Sequence, residues 1–127
     1  MEKTLILIKP DAFEKEIHYE IFIKLNFEAN LRGYSVEYKT FNNIHLNIME
    51  SHYEEHKGKH FYERLINFMT KGLITAIIIE GDDCVSEMRK VAMNIRDNYE
   101  TKNERNLVHA SDSIESAERE IKNIFGG

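Results

Sequence analysis

The feature that most constrains this chain is a strand-length run with no polar face. Residues 73–79 read Leu-Ile-Thr-Ala-Ile-Ile-Ile and residues 4–8 read Thr-Leu-Ile-Leu-Ile. A strand that is apolar at successive positions must be covered on both sides, so each run predicts a central strand with helices above and below. The N-terminal run is too short for a signal peptide or a membrane span. Lys9-Pro10-Asp11 ends it, because proline cannot continue a central ladder, and Glu80-Gly81 ends the other.

Between and after these runs the periodicity changes. Ile17, Ile21, Leu25 and Ala29 fall at helical spacing, with Gly33 as a stop. Tyr34, Val36 and Tyr38 alternate with polar residues and predict a half-exposed strand. A helix is expected around residues 46–55, and another carries Phe61, Leu65, Phe68 and Met69 and closes at Gly72. Asp82 and Asp83 open a helix with Val85, Met88, Val91 and Ala92 inward, the acids favouring its positive end. A last strand spans Leu107, Val108 and Ala110, and a last helix buries Ile114, Ala117, Ile121, Ile124 and Phe125. Asp112 or Ser113 caps that helix, and Asp112-x-x-Glu115 resembles a capping box. The order β-α-β-α-α-β-α-β-α predicts an α+β, ferredoxin-like sandwich: a four-stranded antiparallel sheet covered by helices. One domain, 1–127, is expected, without linker or repeat.

Charge and cysteine content narrow the function. With 17 basic and 22 acidic side chains the net charge is −5, which argues against an extended nucleic-acid or membrane surface but not against a local basic pocket. Cys84 is the sole cysteine, so no internal disulfide forms, which suits a reducing, cytoplasmic setting.

The candidate chemistry lies at Asn106-Leu-Val-His-Ala-Ser-Asp-Ser113. His109 stands at the end of a strand just before a helix, where a sheet holds a side chain rigidly and a loop leaves it open. Taken alone, it reads as a buried histidine bonded to a loop. Glu120 changes that reading, since it falls on or beside the apolar stripe of the last helix, and a buried carboxylate needs a partner. A carboxylate-held imidazole is the arrangement of a histidine nucleophile or base. Lys9 emerges from a core strand, either as a solvated end or as a phosphate or ribose ligand. His52, His56 and His60 are spaced i, i+4, i+8, but Gly58 interrupts them. A solvated helix surface is the better reading than zinc. Tyr53 and Phe61 flank a Lys/Gly-rich loop, either as core residues or as a phenol for a phosphate and a ring for a base.

Asn106-x-x-His109-x-Ser111-Asp112 followed by Glu120, together with Ile8-Lys9-Pro10-Asp11, resembles nucleoside diphosphate kinase over nearly the whole chain. The resemblance implies transfer of the terminal phosphate of a nucleoside triphosphate to a nucleoside diphosphate. His109 would be the phosphorylated nucleophile, in ping-pong fashion, with Glu120 and Ser111 holding its ring. Lys9 and Asn106 would contact the sugar and the phosphate side of the nucleotide. Tyr53 would lie near the transferred phosphate, and Phe61 would stack on the base. Arg89 and Arg96 would hold the phosphates, Arg105 being the rival to Arg96. The resemblance also implies Mg²⁺, bound mainly by the nucleotide, and a homo-oligomer built from dimers, up to a hexamer.

One departure is large. Only Lys90-Val-Ala-Met-Asn-Ile95 separates Arg89 from Arg96, where the family has a long loop with a Gly-x-Thr-x-Pro segment. The chain also stops at Gly126-Gly127, without the family's usual C-terminal extension. Two expectations follow: an active kinase with a trimmed loop or, as the alternative, a catalytically weakened nucleotide-binding or scaffold domain. The short segment further predicts a homodimer through the alternating strand at residues 34–38, with any hexamer weaker than is usual in the family.

Overall fold

A computed structural model describes residues 1–99 and 105–126. The second glycine of the terminal pair thus lies outside the described residues. Four strands, β1 (Lys3–Ile8), β2 (Ser35–Asn42), β3 (Leu73–Glu80) and β4 (Val108–Ala110), form one sheet in the order β2-β3-β1-β4. Every pairing is antiparallel. The two apolar runs are indeed the two inner strands. Six helices accompany them: α1 (Pro10–Glu14), α2 (His18–Leu31), α3 (Leu46–His52), α4 (Tyr62–Met69), α5 (Cys84–Asn98) and α6 (Ile114–Phe125).

Alternation along the inner strands sorts the core into two halves. Ile6, Ile8, Ile77 and Ile79 pack with Leu25 of α2 and Met88 of α5. Leu5, Leu7, Ala76 and Ile78 pack with Met49 of α3, Leu65 of α4 and Ile124 of α6. Both faces are therefore covered, as strands without a polar face require. The order and direction of the strands, with helices on both faces, are those of the ferredoxin-like sandwich.

Three local differences from the sequence reading have physical causes. Pro10 does more than end β1: it occupies the first turn of α1, where its fixed φ and missing N–H cost nothing. Neither Asp82 nor Asp83 caps α5 through its side chain; the Val85 amide donates instead to Glu2 Oε1 at 3.1 Å. The expected strand at residues 34–38 is longer and shifted, and Tyr34 is a buried residue whose hydroxyl donates to the Asp82 carbonyl. Of the two cap candidates at α6, Ser113 is the one used, accepting from the Ser116 amide at 3.0 Å.

Candidate active site

β4 is short, at the sheet edge, and held from both sides. Among the described residues its outer carbonyls have no strand partner, and two arginines of α5 supply donors instead. Arg89 Nη1 donates to the Ala110 carbonyl at 3.1 Å, and Arg96 Nη2 and Nε donate to the Val108 carbonyl at 2.6 and 2.9 Å. The six residues between these arginines are not a loop but part of uninterrupted α5, with Val91, Ala92 and Ile95 buried. On the inner side the Lys9 amide donates to the Leu107 carbonyl at 2.9 Å, and the Leu107 amide donates to Asp11 Oδ2 at 3.0 Å. These bonds hold Leu107 at φ 74°, an uncommon region for a residue with a side chain. Burial raises the Asp11 carboxyl above its ordinary range, against the opposing pull of Lys9 and the Leu107 amide.

Alternation sends Val108 and Ala110 into the α2/α5 core half, so His109 points to the opposite face, where α6 lies. There His109 Nε2 meets Glu120 Oε1 at 2.9 Å. Ser111, fully buried, donates its hydroxyl proton to the same carboxylate oxygen at 2.7 Å. Glu120 is only 4% exposed. Burial alone would raise its carboxyl, but the bond and charge of His109, with His52 and Ser111, outweigh burial and hold it below the usual range. An ionised carboxylate only accepts, so Nε2 carries the ring proton and Nδ1 keeps its lone pair.

His109 opens on a cavity of about 390 Å³ lined also by Lys9, Tyr53, Phe61, Arg96 and Asn106. Lys9 Nζ donates to Asn106 Oδ1 at 2.8 Å, which fixes both groups at one wall. The Tyr53 ring lies 6.4 Å from the His109 ring, and burial pushes its phenol well above the ordinary value. Burial also lowers the Arg96 guanidinium somewhat, with Arg89 adding to the effect. Six expected residues thus share one cavity, with Glu120 and Ser111 directly behind His109.

Arg89 is the exception. It does not line this cavity; it faces a separate groove with Lys90, Met93 and Asp112. Arg105, the rival to Arg96, also lies elsewhere, paired with Glu14 at 2.9 Å beside the Phe68 ring.

The sequence reading missed Arg64 and took His56 and His60 for solvated helix surface; all three line the cavity. Arg64 and Leu65 follow Phe61 at i+3 and i+4, a helical spacing that could have found them. His52 is a correction rather than an omission: it is not part of a solvated surface but 2% exposed, at the end of α3. The histidine stripe never forms, because α3 stops at His52 and a 3₁₀ turn, Glu54–His56, redirects the chain. The His52 ring packs edge-on against Tyr53 at 4.5 Å and His109 at 4.7 Å. Burial drives its imidazole down to about 3, the charge of His109 adding to the effect.

Comparison with known proteins gives this geometry a family. The sequence profile of nucleoside diphosphate kinase matches residues 2–127. A nucleoside diphosphate kinase from Methanococcus maripaludis is 39% identical over 136 aligned positions, covering 99% of each chain. Among solved structures, a nucleoside diphosphate kinase from Encephalitozoon cuniculi superposes with a TM-score of 0.88 at 28% identity, covering 100% of this chain and 90% of its own. A halophilic one from Halobacterium salinarum, in complex with CDP, gives 0.85 at 29% identity, with 99% and 88% covered. With a profile match across the described fold and near-complete overlap with its relatives, this chain belongs to the nucleoside diphosphate kinase family.

Proposed function

We propose that this chain moves the terminal phosphate of a nucleoside triphosphate to a nucleoside diphosphate in two half-reactions, through a phosphohistidine at His109. The observation that carries the reading is the Glu120-bound Nε2, which leaves the Nδ1 lone pair as the attacking group. In the first half-reaction Nδ1 bonds to the terminal phosphorus as the bond to the leaving nucleoside diphosphate breaks. Glu120 offsets the positive charge that the ring gains, and Ser111 holds Glu120. An acceptor diphosphate then attacks the same phosphorus and restores the free imidazole. The transfer is mostly a matter of positioning and charge neutralisation. In this reading Lys9 and Arg96 bear on the phosphates, Asn106 on the sugar and phosphate side, and Tyr53 on the transferred group. Phe61 stacks on the base. Arg89 contributes by bracing β4 rather than by touching phosphate, as its bond to the Ala110 carbonyl suggests.

Members of this family use a divalent metal, and we assign Mg²⁺ here. The described residues lining the cavity include no carboxylate, so the donor set fits an ion held by nucleotide phosphates rather than by the protein. When bound, Mg²⁺ supplies positive charge to the phosphate oxygens. A cytoplasmic setting belongs to the same proposal and rests on the single buried thiol, Cys84, which burial pushes up to about 11. Among the described residues no helix is long and apolar enough to cross a membrane.

The direct test is incubation with labelled ATP and Mg²⁺. The protein should acquire label that is lost in acid and survives alkali, as a phosphorus–nitrogen bond does, and added diphosphate should discharge it. Nucleotide binding without any label would favour the weakened-domain alternative.

We further propose a homodimer. β2 is a sheet edge, and Tyr38 on it is 61% exposed. Tyr19, Ile23, Phe27 and Leu31 form an exposed apolar stripe along α2, and Phe22 of that helix meets the Tyr38 ring at 4.7 Å. An open edge beside an apolar stripe suits a self-complementary, two-fold contact. Light scattering on protein from a sizing column should give a dimer that persists on dilution, with any hexamer dissociating first. A strict monomer would refute the dimer, and an undiminished hexamer would show that the long inter-arginine loop is dispensable for assembly.

A further inference from the structure

His52 is a buried polar group that the proposed transfer does not use. Both of its ring nitrogens are buried without a hydrogen-bond partner among the described residues. A hydrogen bond left unmade in a protein interior is destabilising, so a phenylalanine would serve mere packing better. One nitrogen of His52, one nitrogen of His109 and one oxygen of Glu120 all lie within 4.8 Å of one another. Two imidazoles and a carboxylate are the donor set of a catalytic-type zinc site, with a fourth position left open.

We propose that His52, His109 and Glu120 form a site for a zinc-like divalent transition metal, and that its occupation switches the phosphotransfer centre off. The ion takes the place of the proton now shared between His109 Nε2 and Glu120 Oε1, which stand 2.9 Å apart. A metal–nitrogen bond forms at Nε2, and the displaced proton moves to Nδ1, so the ring stays a neutral imidazole. His52 adds a second nitrogen lone pair and keeps the proton on its other nitrogen. Ligands about 2.1 Å from a tetrahedral ion lie about 3.4 Å apart, so His52 must close in by roughly an ångström. The metal then withdraws electron density from the His109 ring and claims the carboxylate that supports its charge. Nδ1, now carrying the ring proton, has no lone pair with which to attack phosphorus, although the nucleotide cavity itself stays open. Nitrogen donors exclude Mg²⁺ from this role, since that ion prefers oxygen ligands and keeps its waters. Arg119, whose Nη2 lies 3.9 Å from Glu120 Oε2, opposes a cation here, but its side chain is 44% exposed and its other contact is a long bond to the Ser51 carbonyl at 3.5 Å.

The test uses Zn²⁺ alone on nucleotide-free protein, so it does not depend on the kinase reading. Calorimetry should give one ion per chain with micromolar or tighter affinity. His52→Phe keeps the ring shape and should weaken Zn²⁺ at least tenfold. A His56→Ala, His60→Ala double variant, which alters the other two histidines lining the cavity, should bind Zn²⁺ as the parent does. Should His52→Phe fail to fold, nitrogen resonances of the parent's histidines decide instead: Zn²⁺ should move those of His52 and His109 and spare those of His56 and His60. Zn²⁺ should also suppress labelling by ATP in the parent, reversibly with a chelator, and much less in His52→Phe. No micromolar binding, or binding that follows His56 and His60, would overturn the proposal.

Discussion

Replacing His109 with alanine is expected to abolish both labelling by ATP and phosphate exchange between ATP and a second nucleoside diphosphate. The loss should exceed about a thousandfold, as for removal of other covalent nucleophiles. The chain has 6 histidines, so five remain in this variant and could in principle take label. None of them shares His109's setting. Among the described residues, His52 is buried with its nitrogens unpartnered, and His56 and His60 line the cavity beside Phe61 without a carboxylate at hydrogen-bond distance. The fold should survive the change. Alanine leaves β4 paired with β1 and leaves Ser111 bonded to Glu120, so the cost is that of one hydrogen bond to a buried carboxylate, about 1.5–3 kcal/mol. Circular dichroism and a melting curve check folding; labelling of a well-folded His109→Ala protein would remove His109 from the mechanism.

How far this arrangement could be read beforehand depended on the kind of signal each residue gives. β1 and β3 were legible because a strand buried on both faces writes its burial directly as apolar sequence. Glu120 was legible because an acid amid Ala117, Ile121 and Ile124 breaks the stripe that packs α6, and such a break needs a charged or polar partner. α1 was not legible, since Pro10 signals the end of a strand and the first turn of a helix equally well. His52 was misread for a different reason. Its neighbours at i+4 and i+8 suggested a helix face, but the helix ends at His52 itself, and sequence spacing carries no sign of that end. The helix read from Val85, Met88, Val91 and Ala92 is present and runs on past Ile95, so the whole stretch that stands where the family has a long loop is helical. Arg89 is thereby fixed two helical turns from Arg96 and spans to the Ala110 carbonyl rather than into the cavity.

Glu120→Gln should retain the fold and slow phosphorylation of His109 by roughly tenfold to a hundredfold, because a hydrogen bond to a charged group contributes about 1.5–3 kcal/mol. Glutamine has the length and shape of glutamate, so α6 keeps its packing and the amide oxygen still accepts from Ser111 and from His109 Nε2. What disappears is the negative charge 2.9 Å from a ring that, in the transfer we propose, becomes positive as Nδ1 bonds to phosphorus. That charge acts on the transition state and the phosphoenzyme rather than on bound nucleotide. The loss should therefore fall on kcat and leave nucleotide affinity nearly unchanged. Rapid-quench measurement of the first half-reaction, with nucleotide binding measured separately, distinguishes the two. A large loss of affinity with an unchanged phosphorylation rate would mean that Glu120 shapes the cavity instead of supporting the nucleophile. A parental rate would mean that orientation by the oxygen alone suffices, leaving the charge of this buried carboxylate without a part in the reaction.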